Sequence, residues 1–146
     1  MNFFRSMEIA ASGLTAQRYR MDIIGENVAN ATTTRTASGE AYRRKFVVFE
    51  EKSKPYPFSS WFALARLSND GRGVRVVTQG EDQSPFKLVY EPEHPDANEE
   101  GYVEYPNVDI EKEMVDMLAA SRSYEANLTV LNTYKSMAMK ALEIGK

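Results

Sequence analysis

Residues 107–145 read NVDIEKEMVDMLAASRSYEANLTVLNTYKSMAMKALEIG, and no proline interrupts them. Steps of four and three residues from Ile110 land on Met114, Met117, Ser121, Tyr124, Leu128, Leu131, Lys135, Ala138 and Leu142. Eight of these ten positions are apolar or aromatic, which is the heptad seam of a helix that winds against another helix. Val115, Leu118 and Ala119 widen the stripe beyond a narrow dimer face. Asp109, Glu111 and Glu113 crowd the start, while Lys135, Lys140 and Lys146 lie toward the end. That order complements a helix macrodipole, and Gly145 is the expected stop.

The other end of the chain repeats the pattern. Phe3, Met7, Ala10, Leu14, Gln17, Met21, Ile24 and Val28 follow the same spacing, with Gln17 as the polar exception. Gly13 and Gly25 interrupt a helix at about 1 kcal/mol each relative to alanine, so they mark either close approach of a neighbouring backbone or a marginal helix. The β-branched run Thr32-Thr33-Thr34 is the expected end.

Between these two stretches lie all six prolines, from Pro55 to Pro106. Proline is excluded from helix interiors, so the middle cannot be a third long helix. Residues 45–49, 73–78 and 86–90 are short β-branched and aromatic runs that read as strands. Asn69-Asp70-Gly71 reads as a tight turn, Pro92–Pro95 as a rigid loop, and Trp61–Arg66 fits helix or strand. The expected fold is α+β. Long N- and C-terminal helices pair as a coiled-coil-like hairpin around a small inserted β-rich unit. The expected division is 1–41, 42–107 and 108–146.

The chain has 146 residues and a formal net charge of -3. Leu, Ile, Val and Phe number 31 residues, about 21% of the chain. That is close to the threshold below which strongly charged chains stay disordered, but the charge is lacking here. The expectation is a folded protein with a thin core of its own. No apolar run reaches membrane-spanning length. Arg5 and Glu8 break the apolar start, so no cleavable signal peptide is expected. The absence of cysteine removes disulfides, thiol catalysis and cysteine-held metals. The acid balance argues against a nucleic-acid partner.

The individual motifs point mostly to structure. Arg43-Arg44-Lys45 is flanked by Glu40, Glu50 and Glu51 and reads as a solvated or subunit-facing strand. His94 is the one histidine. A metal or catalytic centre there lacks the three or four protein ligands that zinc prefers. Glu99, Glu100 and Glu104 lack a calcium loop's spaced ligands, and no glycine-rich phosphate cradle is present. No catalytic, metal or cofactor residue is therefore expected. A small enzyme or ligand-binding domain centred on His94 is the reading from a different class. A secreted coiled-coil effector that binds partner helices is another. Arg122 and Glu125 are spaced for an i,i+3 ion pair. Asn27 and Asn30 suit either a helix end or a subunit contact.

Two sets of motifs carry a resemblance. Ala11-Ser12-Gly13-Leu14 leads to Asn27-Val28-Ala29-Asn30-Ala31-Thr32-Thr33, and Tyr42-Arg43-Arg44-Lys45 follows after an extended loop at 35–40. At the other end stand Asn107-Val108-Asp109, Glu113–Met117, Ser121–Asn127 and Lys135-Ser136-Met137. Together they resemble the terminal signatures of bacterial flagellar basal-body rod proteins. The middle elements Ser84-Pro85-Phe86, His94–Ala97 and Gly101-Tyr102-Val103 resemble those of a proximal rod member.

The resemblance implies a non-enzymatic structural subunit of a helical tube that crosses the periplasm, transmits torque and forms part of the export channel. Its implied partners are other rod proteins, copies of itself and the flagellar type III export apparatus, without membrane insertion. Another axial or adaptor component is the alternative within the class. The implied assembly contacts are Leu14, Met21, Ile24, Asn27, Asn30, Met114, Met117, Arg122, Tyr124, Glu125, Asn127, Leu131 and Met137.

Overall fold

The computed structural model describes residues 3–52 and 73–144. The readings of Trp61–Arg66, Asn69–Gly71 and Gly145 lie outside the described residues. Helix α1 runs Phe3–Ala29, and helix α2 runs Ile110–Ile144. Between them come strands β1 (Lys45–Glu51), β2 (Val74–Glu81), β3 (Lys87–Tyr90) and β4 (Tyr102–Tyr105). The two helices form the expected hairpin. Asn27 bonds Glu113, and Gly13 faces Asn127. Both facing pairs sum to 140, so the helices are antiparallel and Met137 lies level with Phe3.

The helix ends follow local chemistry. At the start of α2, the Asp109 carboxylate accepts the Glu111 N–H at 3.1 Å, an N-cap that satisfies a donor with no partner inside the helix. Glu111 and Glu113 fill the first turn, but the last described turn holds no base. Lys135 and Lys140 lie in the last third of the helix as expected, and Lys146 lies outside the described residues. Helix α1 ends before the threonine run. The Asn30 amide turns back onto the Glu26 carbonyl at 2.9 Å, and its oxygen accepts the Thr33 hydroxyl.

The contact line between the helices differs from the expected seam in a regular way. On α2 it runs Glu113, Met117, Ala120, Tyr124, Asn127, Leu131, Tyr134 and Ala138, all buried or half-buried. Four of these were expected. The other four sit one residue before Met114, Ser121, Leu128 and Lys135. On α1 the line runs Ala10, Gly13, Gln17, Arg20, Ile24 and Asn27, again displaced by one from Leu14, Met21 and Val28. The alternate layers are filled by small and polar side chains, so apolar periodicity located the wrong neighbour.

The expected inserted β-rich region is present and consists of two small antiparallel ladders, β1–β2 and β3–β4. A bulge between Val48 and Phe49 shifts the first ladder's register. Strand β4 was not anticipated, because four residues alternating Tyr-Val-Glu-Tyr give little signal. Its Val103 is fully buried. The first ladder is tied to α1 at Ser12, whose hydroxyl donates to the Ile9 carbonyl and accepts the Val74 N–H. Gly73 has φ 70°, and a Cβ there would sit 2.5 Å from the Ser12 oxygen. Glycine is therefore required where β2 meets the helix.

The two helical glycines separate cleanly. A Cβ on Gly13 would lie 3.0 Å from the Asn127 amide, whereas one on Gly25 meets nothing within 4 Å. Gly25→Ala is expected to stabilise the fold by about 0.5–1 kcal/mol through helix propensity, and Gly13→Ala to gain less or to lose. Thermal melts check this; an equal gain at both sites would contradict the close helix approach.

Candidate assembly interface

Both helices and both ladders meet at one buried polar junction. Asn27 is 1% exposed and uses every hydrogen-bonding position of its amide. Its nitrogen donates to the Lys45 carbonyl at 2.8 Å and to the Glu113 carboxylate at 3.0 Å. Its oxygen accepts the Tyr42 hydroxyl at 3.0 Å and the Lys45 N–H at 2.9 Å. Nothing of Asn27 is left over for a neighbouring chain.

Glu113, fully buried, takes a second donor, the Arg44 Nε at 2.6 Å. Arg44 also approaches Asp116 at 3.8 Å, and Asp116 pairs with Arg20 of α1 at 3.1 Å. Lys45 pairs with Glu26. Arg44 is thus half-buried and held against α2, rather than solvated as its basic run suggested. Burial and the nearby Glu26, Glu113 and Glu81 charges push the Tyr42 phenol up to about 12.

Asn107 joins the second ladder to this junction. Its oxygen accepts the Arg44 N–H at 2.8 Å. Its nitrogen reaches the carbonyls of Asp82 and Ser84 and the Ser84 hydroxyl. The Ser84 N–H and hydroxyl also bond the Asp82 carboxylate and hold it below its usual range. Arg43 stacks over Phe86, 4.2 Å from the ring centre.

The candidate contacts divide into three groups. Ile24 and Asn27 are buried inside the chain, and Leu14, Met21, Met117, Tyr124, Asn127 and Leu131 are half-buried. Asn30 caps α1. Met114, Arg122, Glu125 and Met137 are exposed. No ion pair joins Arg122 to Glu125 among the described residues, so the expected i,i+3 bridge is absent.

Met114, Val115 and Leu118 lie within about one helical turn on the side away from α1, and Arg122 and Glu125 continue that side. Met137, Met139 and Leu142 form a second group at the far end. These six apolar side chains are 56–76% exposed. Solvent exposure of such clusters on a folded chain marks contact with another molecule.

The junction residues Tyr42, Arg44, Asn107 and Glu113 stand in the terminal motifs but were not among the expected contact residues. Their partners are up to 86 positions apart, and no local pattern reports such pairings. His94 accepts the Asp96 N–H on Nδ1 at 3.1 Å within its own loop. Among the described residues no group of three or more histidine or acidic side chains could hold a metal ion. No described helix is long and apolar enough to cross a membrane.

Comparison with known proteins gives the same picture along the whole chain. Residues 7–35 match the family model described as Flagella basal body rod protein, and residues 99–144 match Flagellar basal body rod FlgEFG protein C-terminal. The flagellar basal-body rod protein FlgC of Bacillus subtilis is 50% identical over 150 aligned positions, covering all of both chains. That of Escherichia coli O6:H1 is 42% identical over all of both. That of Aquifex aeolicus is 36% identical, over 100% of this chain and 99% of its own.

Two outcomes are expected at the junction. Glu113→Ala leaves Arg44 and Asn27 with unmet donors in a buried place and should cost about 3–5 kcal/mol. Arg122→Ala on the open face should stay within about 0.5 kcal/mol. Denaturant titration of both variants decides; equal effects would remove the junction's special status.

The second outcome concerns pH. The folded chain holds the Tyr42 proton beyond the ordinary value of 10.0, up to about 12. The stabilisation is complete below the lower value. It is lost as pH rises through the upper one, at about 1.4 kcal/mol per pH unit. Tyr105, bonded to Glu91, is also raised, so phenolate absorbance should lose its latest-titrating component in Tyr42→Phe; an unchanged titration curve would refute it.

Proposed function

This chain belongs to the FlgC family of flagellar basal-body rod proteins, and on that premise we propose how it does its work. It is a structural, non-enzymatic subunit of the basal-body rod that assembles with other basal-body components. We read residues 1–41 and 108–146 as one inner helical domain and 42–107 as the outer β-rich part. The observation that carries the reading is the uncovered apolar side of α2, above all Met114, Val115 and Leu118. A chain whose helical hairpin is already closed keeps these side chains in water, and packing against a neighbour removes them from it.

The contacts form with copies of itself and with other rod proteins. Repeated heterologous contacts build an open helical tube rather than a closed ring. Many weak contacts in parallel carry torque through the tube, and the helices line its export channel. The subunit reaches that place through the flagellar type III export apparatus, without a cleavable signal peptide. Of the thirteen contact residues, Met114, Arg122, Glu125 and Met137 face the neighbours. Ile24, Asn27, Met117, Tyr124, Asn127 and Leu131 hold the hairpin that presents them, Asn30 caps α1, and Leu14 and Met21 flank the seam.

Truncation before Met137 tests this. It removes the end of α2 that is level with Phe3 or beyond it, and leaves the junction intact. Rod formation and motility should be lost while the purified truncated chain keeps its β-rich part folded by circular dichroism. Normal rods and swimming in that strain would sink the reading.

A further inference from the structure

Helix α2 carries a second heptad line beside the one that α1 fills. It starts at Met114, one residue on from Glu113, and steps by four and three residues to Met139. One residue is about 100° around a helix, so this line faces the flank of the hairpin rather than α1. Met114, Leu118, Leu128 and Met139 are its apolar positions, at 40–61% exposure. Ser121, Glu125, Asn132 and Lys135 are the polar positions between them.

Helix α1 has an outer line with the same steps, from Phe4 to Ala29. Every position on it is exposed except Gly25, which is half-buried. Ala11, Thr15, Gly25 and Ala29 are small, and Glu8, Arg18 and Asp22 are charged. Among the described residues no ion pair engages Glu8, Arg18, Asp22, Glu125 or Lys135. Gly25 weakens the helix that contains it, yet a Cβ there would meet nothing within 4 Å. Nothing in the hairpin requires a glycine at that place, whereas a second backbone approaching from outside would.

Copies that point the same way along a tube set α1 of one antiparallel to α2 of the next. The two lines then match position for position where the residue numbers sum to 143. Leu118 falls over Gly25 and Met114 over Ala29, large side chains over places without bulk, as knobs need holes. Glu125 meets Arg18, and Lys135 meets Glu8, each pair opposite in charge. The Ser121 hydroxyl faces the Asp22 carboxylate, and Met139 faces the Phe4 ring, a favourable sulfur–aromatic pairing. A slip of one heptad destroys the match. One direction sets Leu118 on Arg18 and Leu128 on Glu8, and the other sets Leu128 on Asp22.

We propose that this second line of α2 docks, in that register, along the outer line of α1 of a second copy of this chain. The contact rests on the rod reading and extends it by naming the two surfaces and their alignment. It is heterologous, so every docked pair leaves one line of each kind free and the contact propagates. Inside the hairpin the facing pairs sum to 140. The difference of three residues displaces each neighbour along the axis by about 4.5 Å, at about 1.5 Å per residue. A displacement repeated at every contact winds the copies into a helix instead of a flat ring.

Charge reversal in a flagellated strain tests the contact, with the amount of chain in isolated basal bodies as readout. Glu125→Arg with Lys135→Glu should lower incorporation by about tenfold or more. Glu8→Lys with Arg18→Glu should do the same. All four together should return it to within about twofold of the unmodified chain. Normal incorporation of either reversed pair overturns the proposal. Loss without recovery in the fourfold variant overturns the second copy as the partner. Absence of the unmodified chain from basal bodies would instead overturn the rod reading beneath it. Gly25→Leu separates assembly from folding. It should leave the isolated chain at least as stable in a thermal melt and still lower incorporation by about tenfold; normal incorporation overturns the proposal. A last measurement does not depend on stability. The chain has no cysteine, so Arg18→Cys with Glu125→Cys and a short bismaleimide linker should give a ladder of cross-linked copies. Monomer alone from intact rods would refute the contact.

Discussion

Glu113 is an ionisable side chain fully withdrawn from water, and the arrangement of everything else follows from how that burial is made tolerable. A buried carboxylate without partners costs several kcal/mol. Here one oxygen takes the Arg44 Nε and the other the Asn27 amide. The first donor belongs to the approach to β1, the second to α1, and the carboxylate to α2. Three segments far apart in the chain must therefore be in place together. Asn27 then fixes the backbone of Lys45 from both sides, and Asn107 fixes Arg44 to the second ladder. The angle between helices and ladders is set by this one polar knot.

A polar knot suits a chain with few strong core formers. Replacing a buried ion pair by apolar residues often raises stability, so the junction is a poor source of net stabilisation. What it provides here is a defined register. Sliding α2 by one residue along α1 would put Met114 opposite Asn27 and strand the amide. The remaining layers of the hairpin specify less. Gln17 even buries its side-chain oxygen with no hydrogen-bond partner among the described residues. Placing register in one polar layer leaves the large apolar residues free for the other side of the helix.

The sequence made the helices legible because their signal is long and repeated. Thirty-five proline-free residues with a heptad pattern can hardly be anything else, and the terminal motifs named the family. The exact seam was not legible. Pattern reading assigns the inside to apolar residues, and the alternate layers at Glu113, Ala120 and Asn127 are acidic, small and polar. Met114 and Leu128 therefore seemed inward and are in fact exposed. Arg44 failed for the related reason that a base beside acids looks solvated until its distant partner is known. Strand β4 was too short to announce itself, and the two separate ladders depend on pairings that no local run encodes.

The one-residue displacement of the seam has a physical use. A helix with its best apolar residues turned inward makes a stable monomer and a poor building block. Turning them outward moves that burial from folding to assembly. The same count of Leu, Ile, Val and Phe that looks thin for a globule is then divided between two tasks. The polar junction holds the chain in one shape, and the apolar side of α2 is left exposed. Association energy per contact stays modest in this division, and cooperativity comes from the number of contacts. A rod subunit has to fold as a single chain and then be held by other basal-body components. A single well-defined shape with apolar residues left on its surface suits that task.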